Sequence, residues 1–421
     1  MAPRRIGAMQ DKELYRYLLG LEPPWSVERV NLDVEKQRVD VWASHKEGLL
    51  WPCPECGEMQ PLYDHTPERT WRHLDSCQFM TFLHARPPRV KCKKHGVRQV
   101  RLSWAEEKAR FTALFERLAI EVLQACDILS AAEILRISWD EAWHIMERAV
   151  RRGLKRKRRR ARLMGVDEKT AGRGHDYVTV VNDLKRGTVE YVGDGRRKES
   201  LDAYFARLSQ KTREKIEAVA VDIWDPYLAS IREHVPEAEE KIVFDRYHLM
   251  VHMIKAVDDV RKEEYRRLKK EGDETLRGSK YLWLYSKENL PAIHKSRFRS
   301  LRNLHLKTAR AWAIKESFRD LWSYKRVGWA IRHFKAWFFW ATHSRLKPVI
   351  EKARMFRKYL SQILTYFRYR ITNAVSEGLN SKIETIRKKA YGFRNREHFK
   401  TAIYFHCGDL NLYPVTHKKV G

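Results

Sequence analysis

Hydrophobic positions change rhythm three times along the chain. The first hundred residues hold a short helix-like piece and then VERVNLDVEKQRVDVWASH, whose alternation predicts a hairpin of two half-buried strands. From Arg101 to Arg160 the apolar step lengthens to three and four residues. ALFERLAIEVLQAC predicts a helix, SAAEIL a second one capped by its serine, RIS a tight break and WDEAWHIMERAV a third helix. From Leu163 short apolar, β-rich runs return: MGVDE, YVTVVND and TVEYVGDG, then IEAVAVD and KIVFD after the helical patterns SLDAYFARL and PYLASIREHV. Turns at KTAGRG and at LKRG, which ends in Gly187, make the first three runs an antiparallel meander.

After Asp245 the strand pattern stops. Residues 248 to about 370 read as almost wholly helical, and an aromatic series at Trp312, Phe318, Trp322, Trp329, Phe334, Trp337 and Trp340 recurs at helical steps, which assigns it to core. The stretch RITNAVSEGLNSKIETIRKKAYGFRN then predicts a helix on which Asn373, Glu377, Ser381 and Glu384 share one face. Gly378 in its middle suggests close approach to something.

Charge narrows the class of partner. Against 54 Asp and Glu stand 84 Lys and Arg, a net charge of +30, and aromatic residues are interleaved with the cations. Such a field attracts polyanions, nucleic acid first among soluble ones. The second and third predicted helices have the size and tight junction of a helix-turn-helix, with Trp139, Glu141 and His144 toward the exposed start of the second member. RRGLKRKRRRAR follows, and its Arg156, Arg158, Arg159 and Arg160 are read as a linker that also touches DNA. No signal-peptide core and no run of 18 apolar residues occurs, so a cytoplasmic, chromosome-associated protein that avoids membranes is expected.

Six cysteines are too few for a disulfide scaffold, and four of them lie in the first hundred residues. Cys53 and Cys56 in CPEC, and Cys92 and His95 in CKKH, form two pairs with two-residue spacers separated by 35 residues, the pattern of a structural zinc site. His65, His73, Cys77 and His84 lie between the pairs and compete with His95 for the fourth place.

Two acids end apolar strands, where a charge is costly unless something uses it: Asp167 and Asp222. The order strand, strand, strand, helix, strand, helix, strand is that of the ribonuclease H fold, which sets the ends of its first and fourth strands side by side. A helix after the fifth strand supplies that fold's last acid. Glu377 fits it, with Glu384 as rival, while Asp245 is read as at most a support at the sheet's edge. Carboxylates of this kind suit magnesium, or manganese in its place. Asp167 is then expected to bridge two ions, with Asp222 on one and Glu377 on the other. Lys382, Arg387, Lys388 and Lys389 follow Glu377 and are expected to hold phosphates.

VDEK, VDIWDPY, FDRYH, LKTARAWAIKE, ITNAVSEGLNSKIETIRKKAYGFRN and FHCG, preceded by CPEC, WRHLD and RPPRVKCKKHGVR, resemble the bacterial insertion-sequence transposases of the ISL-three family. The resemblance covers nearly all of the chain after about residue 45. It implies a DDE transposase with Asp167, Asp222 and Glu377 as its acids. The expected architecture is α+β and multidomain: a zinc-binding β module at 1–100, helix-turn-helix and basic linker at 101–162, and a ribonuclease H-like domain at 163–247. An all-α insertion at 248–370 interrupts that domain, and its last helix and a tail occupy 371–421. Double-stranded DNA, both terminal inverted repeats and target, and a second copy of the chain are the expected partners. A DNA-binding regulator derived from a transposase, or a structure-specific nuclease on the same fold, are the competing readings.

Overall fold

The computed structural model describes residues 11–158, 160–172, 176–371 and 374–415. These divide into two compact units, one of residues 11–157 with 404–406 and 410–415, the other of residues 158–403 with 407–409.

The first unit begins with helix α1 (Asp11–Leu18) and eight strands: β1 (Trp25–Asp33), β2 (Arg38–His45), β3 (Leu50–Pro52), β4 (Met59–His65), β5 (Arg69–Arg72), β6 (Met80–Ala85), β7 (Pro88–Cys92) and β8 (Gly96–Gln99). The expected hairpin is β1 with β2, in register from Trp25 opposite His45 to Asp33 opposite Arg38. It joins β6 and β5 in one four-stranded sheet, while β3, β4, β7 and β8 form a second. Trp25, Val41, Trp71, Leu83, Val90 and Trp104 form the core of this β region.

Three helices follow, α2 (Ala113–Ala125), α3 (Ile128–Leu135) and α4 (Trp139–Arg156). The serine cap expected for α3 is displaced: Asp127 accepts from the N–H groups of both Leu129 and Ser130 and starts the helix three residues earlier, a carboxylate satisfying two free donors where the Ser130 hydroxyl would satisfy one. Arg136 at φ +56° makes the tight junction, and Ser138 with Glu141 forms a capping box that opens α4.

His73 ties the sheets to these helices. It is 4% exposed, and its Nδ1 lies 2.9 Å from the hydroxyl of Thr112, which caps α2. Burial drives its pKa down to about 4. Because the folded value lies below the unfolded one, the unfolded chain binds more protons between them. Stability is therefore complete above about pH 6.5 and falls as pH drops toward 4, by about 2 kcal/mol at pH 5. Urea midpoints at pH 7.5 and pH 5 should show this loss in the wild type and a smaller one in His73→Gln; equal losses would show that His73 is not its source.

The second unit is built on a five-stranded sheet: β9 (Leu163–Thr170), β10 (Tyr177–Asp183), β11 (Thr188–Asp194), β12 (Ala218–Val221) and β13 (Ile242–Phe244). Its order is β11-β10-β9-β12-β13. The first three strands form an antiparallel meander, with Gly187 at φ +68° in the second turn, and β12 and β13 run parallel to β9. Helices α5 (Lys198–Phe205) and α6 (Asp225–His234) make the crossovers.

Among the described residues no strand follows Phe244. Helices α7 (Arg246–Lys270), α8 (Lys307–Arg319), α9 (Val327–Thr342), α10 (Lys347–Lys358), α11 (Leu360–Tyr369), α12 (Ala374–Lys389) and α13 (Arg396–Cys407) are the main elements. One apolar core runs from Met164 and Val219 in the sheet through Met253 to Phe318, Trp337 and Phe356. The buried carboxylate of Glu264 on α7 accepts from the N–H groups of Lys307 and Thr308 at 2.8 and 2.7 Å and so anchors the start of α8. Five of the seven aromatics expected in the core are buried; Trp329 and Trp340 are not. Ala330, Phe334, Trp337 and Ala341 fill the inward arc of α9, and Trp329 and Trp340, each one residue out of that phase, turn to solvent.

Candidate functional site

Two groups of side chains bring metal-binding atoms together. In the first unit Cys53 and Cys56 flank the turn after β3, where Cys53 receives the Gly57 N–H and Gly57 sits at φ +76°. Cys92 ends β7, and His95 lies in the turn before β8. Their ligand atoms all lie within 4.8 Å of one another. Cys56 Sγ to Cys92 Sγ is 3.8 Å, Cys53 Sγ to His95 Nδ1 is 3.7 Å and Cys92 Sγ to His95 Nδ1 is 3.5 Å. Tetrahedral zinc with Zn–S near 2.3 Å and Zn–N near 2.0 Å requires edges of about 3.5 to 3.8 Å, which these three separations match. The Lys94 N–H and the His95 ring hold the Cys92 thiol at a pKa of about 6, against burial, which favours the thiolate that zinc needs. The competing ligands are engaged elsewhere: His65 with His45, His73 with Thr112, and His84 with Asp40 at 2.5 Å, while Cys77 is exposed.

The second group lies at the carboxyl ends of the parallel strands. Ala220 of β12 pairs with Gly165 of β9, and Val221 with Phe244 of β13. Carried one and two residues on, this register sets Asp222 beside Asp167 on one side and beside Asp245 on the other. Asp222, Asp245 and His248 bring their ligand atoms within 4.8 Å, and His248 Nδ1 meets Asp222 Oδ2 at 2.9 Å. Asp245, read from sequence as a support at the sheet's edge, is buried, caps α7 through the Tyr247 N–H and belongs to this group. Burial pushes the Asp222 carboxyl above its usual range against the His248 hydrogen bond, and the charges of Asp167 and Asp245 add to the rise. Glu168 is raised in the same way, by burial and then by Asp167 and Asp222. Burial opposes the charge on His248, but Asp222, Asp245 and Asp167 together hold its pKa above the ordinary value.

Helix α12 packs beside these strands. Asn182 of β10 donates to the Ser376 hydroxyl at 3.2 Å, and Asn380 Nδ2 donates to Asp167 Oδ2 at 2.5 Å. Leu379 and Ile383 are buried on the same side. Glu377, one turn before Asn380, is exposed and is not among the groups whose ligand atoms converge. Its rival Glu384 binds Arg387 at 2.8 Å, which holds its carboxyl below the usual range. A Cβ at Gly378 would meet nothing within 4 Å, so the expected close approach is not seen among the described residues. Asn373 lies outside the described residues.

Comparison with known proteins gives the family of the chain. Residues 164–403 match the family model described as the transposase domain of ISL3 elements, more than half of the chain. The chain belongs to the ISL3 family of transposases. Residues 50–95 match the zinc-finger of the transposases of IS204, IS1001, IS1096 and IS1165, and residues 100–150 the helix-turn-helix domain of the ISL3 transposase family. The transposase for insertion sequence element IS1001 of Bordetella parapertussis is 26% identical over 396 residues, covering 93% of this chain and 97% of that protein. The transposase for insertion sequence element IS1557 of Mycobacterium tuberculosis is 25% identical over 417 residues, 92% and 93% of the two chains.

In this transposase the helix-turn-helix is α3 with α4, and Trp139 and His144 are exposed on α4 as expected. The basic run is less uniform than its sequence suggests. Arg152 is buried between Glu106 and Glu116, and Arg156 donates to the Tyr413 carbonyl at 2.6 Å, so part of the run is used inside the first unit. Arg158 and Arg160 are exposed, Arg160 reaching Glu190 at 3.4 Å, and Arg159 lies outside the described residues. Lys382, Lys388 and Lys389 are exposed on α12, whereas Arg387 is paired with Glu384. Sequence reasoning missed the part played by His248 and Asn380. The signal for His248 was the three-residue step from Asp245 across a helix start; Asn380 had none. No described helix is long and apolar enough to cross a membrane.

Proposed function

We propose that this transposase is a DDE enzyme that cuts DNA at the ends of an insertion sequence and joins them to target DNA, with Asp167, Asp222 and Glu377 as its metal-binding acids. The carrying observation is the register of β9 and β12, which extended two residues sets Asp167 and Asp222 at neighbouring strand ends, because two half-buried carboxylates so placed are unfavourable until a cation joins them. The order β11-β10-β9-β12-β13 with β12 and β13 parallel to β9 supports a ribonuclease H-like core, 163–247 with the last helix at 371–421, interrupted by the helical segment 248–370. Asp167, Asp222 and Glu377 would hold magnesium or manganese there, and a bound ion would supply activation of the attacking oxygen, stabilisation of the leaving oxygen and neutralisation of charge on phosphorus. His248 orients Asp222 through its Nδ1, and Asn380 fixes Asp167 by its Oδ2. The reaction is hydrolysis at the element's end followed by attack of the freed 3′ hydroxyl on target DNA, with no covalent protein intermediate.

Glu377 is preferred to Glu384 because it precedes by one turn the residue that touches Asp167, whereas Glu384 is paired with Arg387. Glu377→Gln should abolish manganese-dependent cutting of DNA bearing the element's ends, and Glu384→Gln should stay within about 3-fold of the wild type. The reverse pattern would transfer the role to Glu384. Zinc in the cysteine–histidine site is structural in this reading. The zinc module and α4 read the terminal inverted repeats, the exposed cations of the linker and α12 hold phosphates, and a dimer joins two ends. A regulator derived from a transposase would bind the ends without cutting them, and a structure-specific nuclease would cut without strand-transfer products. The same assay separates all three.

A further inference from the structure

Among the described residues one face of α9 is exposed, and it has an unusual composition. Trp337, on its buried side, packs on Phe318 at 4.7 Å between ring centroids. On the outward arc Trp329, Phe339 and Trp340 keep 52%, 64% and 40% of their surface exposed. Their helical spacing brings them to one side with Arg332 and His343. Single exposed aromatics are ordinary, but three on one helix face mark an interaction surface. The Arg332 guanidinium lies over the Trp329 ring at 4.6 Å, and His343 stacks on Phe339 at 4.0 Å. From Leu321 to Ile350 there is no Asp or Glu, while Lys325, Arg326, Arg332, Lys335, Arg345 and Lys347 fall in that span.

Charge selects the occupant. A second copy of the chain docked through this face about a two-fold axis would set the same cations against each other, with no carboxylate of the segment to pair them. A polyanion answers the charge, and one with flat π faces also answers the aromatic planes. Fully paired DNA hides its base faces within the stack, whereas an unpaired strand presents bases for stacking and phosphates for the cations. We propose that the outward face of α9, through Trp329, Phe339 and Trp340 with Arg332, binds an unpaired DNA strand by base stacking. The proposal rests on the chain's being a DNA transposase but not on which carboxylates cut, so failure of the acid substitutions above would leave it standing.

The test uses the full, zinc-loaded chain without added magnesium. Its affinity is measured for an oligothymidine strand of about thirty nucleotides and for a blunt duplex of the same length. Trp329→Ala with Trp340→Ala should weaken single-strand binding at least about 10-fold and leave duplex binding within about 3-fold, while Trp329→Phe with Trp340→Phe should keep most single-strand affinity. Unchanged single-strand binding in the alanine pair would overturn the proposal. So would an equal loss on both probes, which marks a general fold defect, or unchanged binding with a shift in sedimentation from dimer to monomer, which assigns the face to a second copy.

Discussion

Asp167→Asn and Asp222→Asn should each lower the rate of strand cutting at least about 1,000-fold while leaving DNA affinity unchanged. Asparagine keeps the shape of each side chain and its place at the strand end but removes the charge that would hold a divalent ion in the proposed mechanism. The stability prediction runs opposite to that for an ordinary buried residue. Asp222 is held above its usual pKa by burial and by the charges of Asp167 and Asp245, so its carboxylate costs the fold more than the amide would. Asp222→Asn should therefore melt no lower than the wild type. Single-turnover cutting and a thermal melt on the same preparations check both halves. A slow variant that also melts much lower would attribute the loss to misfolding.

Removing zinc should have the largest effect on stability. Cys53 directly follows β3 and His95 directly precedes β8, strands of 3 and 4 residues, while Cys56 lies in the turn after β3 and Cys92 ends β7. Strands of that length do not hold themselves, and structural zinc contributes apparent binding energies of about 10 kcal/mol or more to such modules. Chelation, or Cys92→Ser, should abolish amide protection around 53–58 and 91–97. The sheet of β1, β2, β5 and β6 has Trp25, Val41, Trp71 and Leu83 behind it and should lose less. Hydrogen exchange followed with and without chelator reads the difference directly. Equal loss over the whole first unit would show one cooperative body, and no loss would show that the ion is not structural.

Much of this was legible in the chain, for identifiable reasons. Alternation over VERVNLDVEKQRVDVWASH and the β-rich runs from Leu163 report burial against one neighbouring layer, which sequence records well, and every strand so predicted is present. CPEC and CKKH fix ligand spacing by local turns, so the zinc site was readable before the fold. What the chain did not reveal depended on neighbours distant in sequence. Trp329 and Trp340 match a helical aromatic series but lie a residue out of phase with Phe334 and Trp337, a difference that only the packing of α9 resolves. Arg156 belongs to a cationic run, yet it binds a carbonyl 257 residues further on. Asp245 was discounted because it ends the edge strand; its nearness to Asp222 comes from the parallel pairing of β12 with β13. Glu377 remains the acid for which sequence argues more strongly than side-chain geometry.

The most direct test of the account is manganese binding, counted by electron paramagnetic resonance on the zinc-loaded chain and on its acid variants. The wild type should bind the ion, Asp167→Asn and Asp222→Asn should each weaken binding at least about 10-fold, and Glu384→Gln should leave it unchanged. Undiminished manganese binding in both aspartate variants would contradict the assignment of the strand-end acids as the metal-binding centre of this transposase.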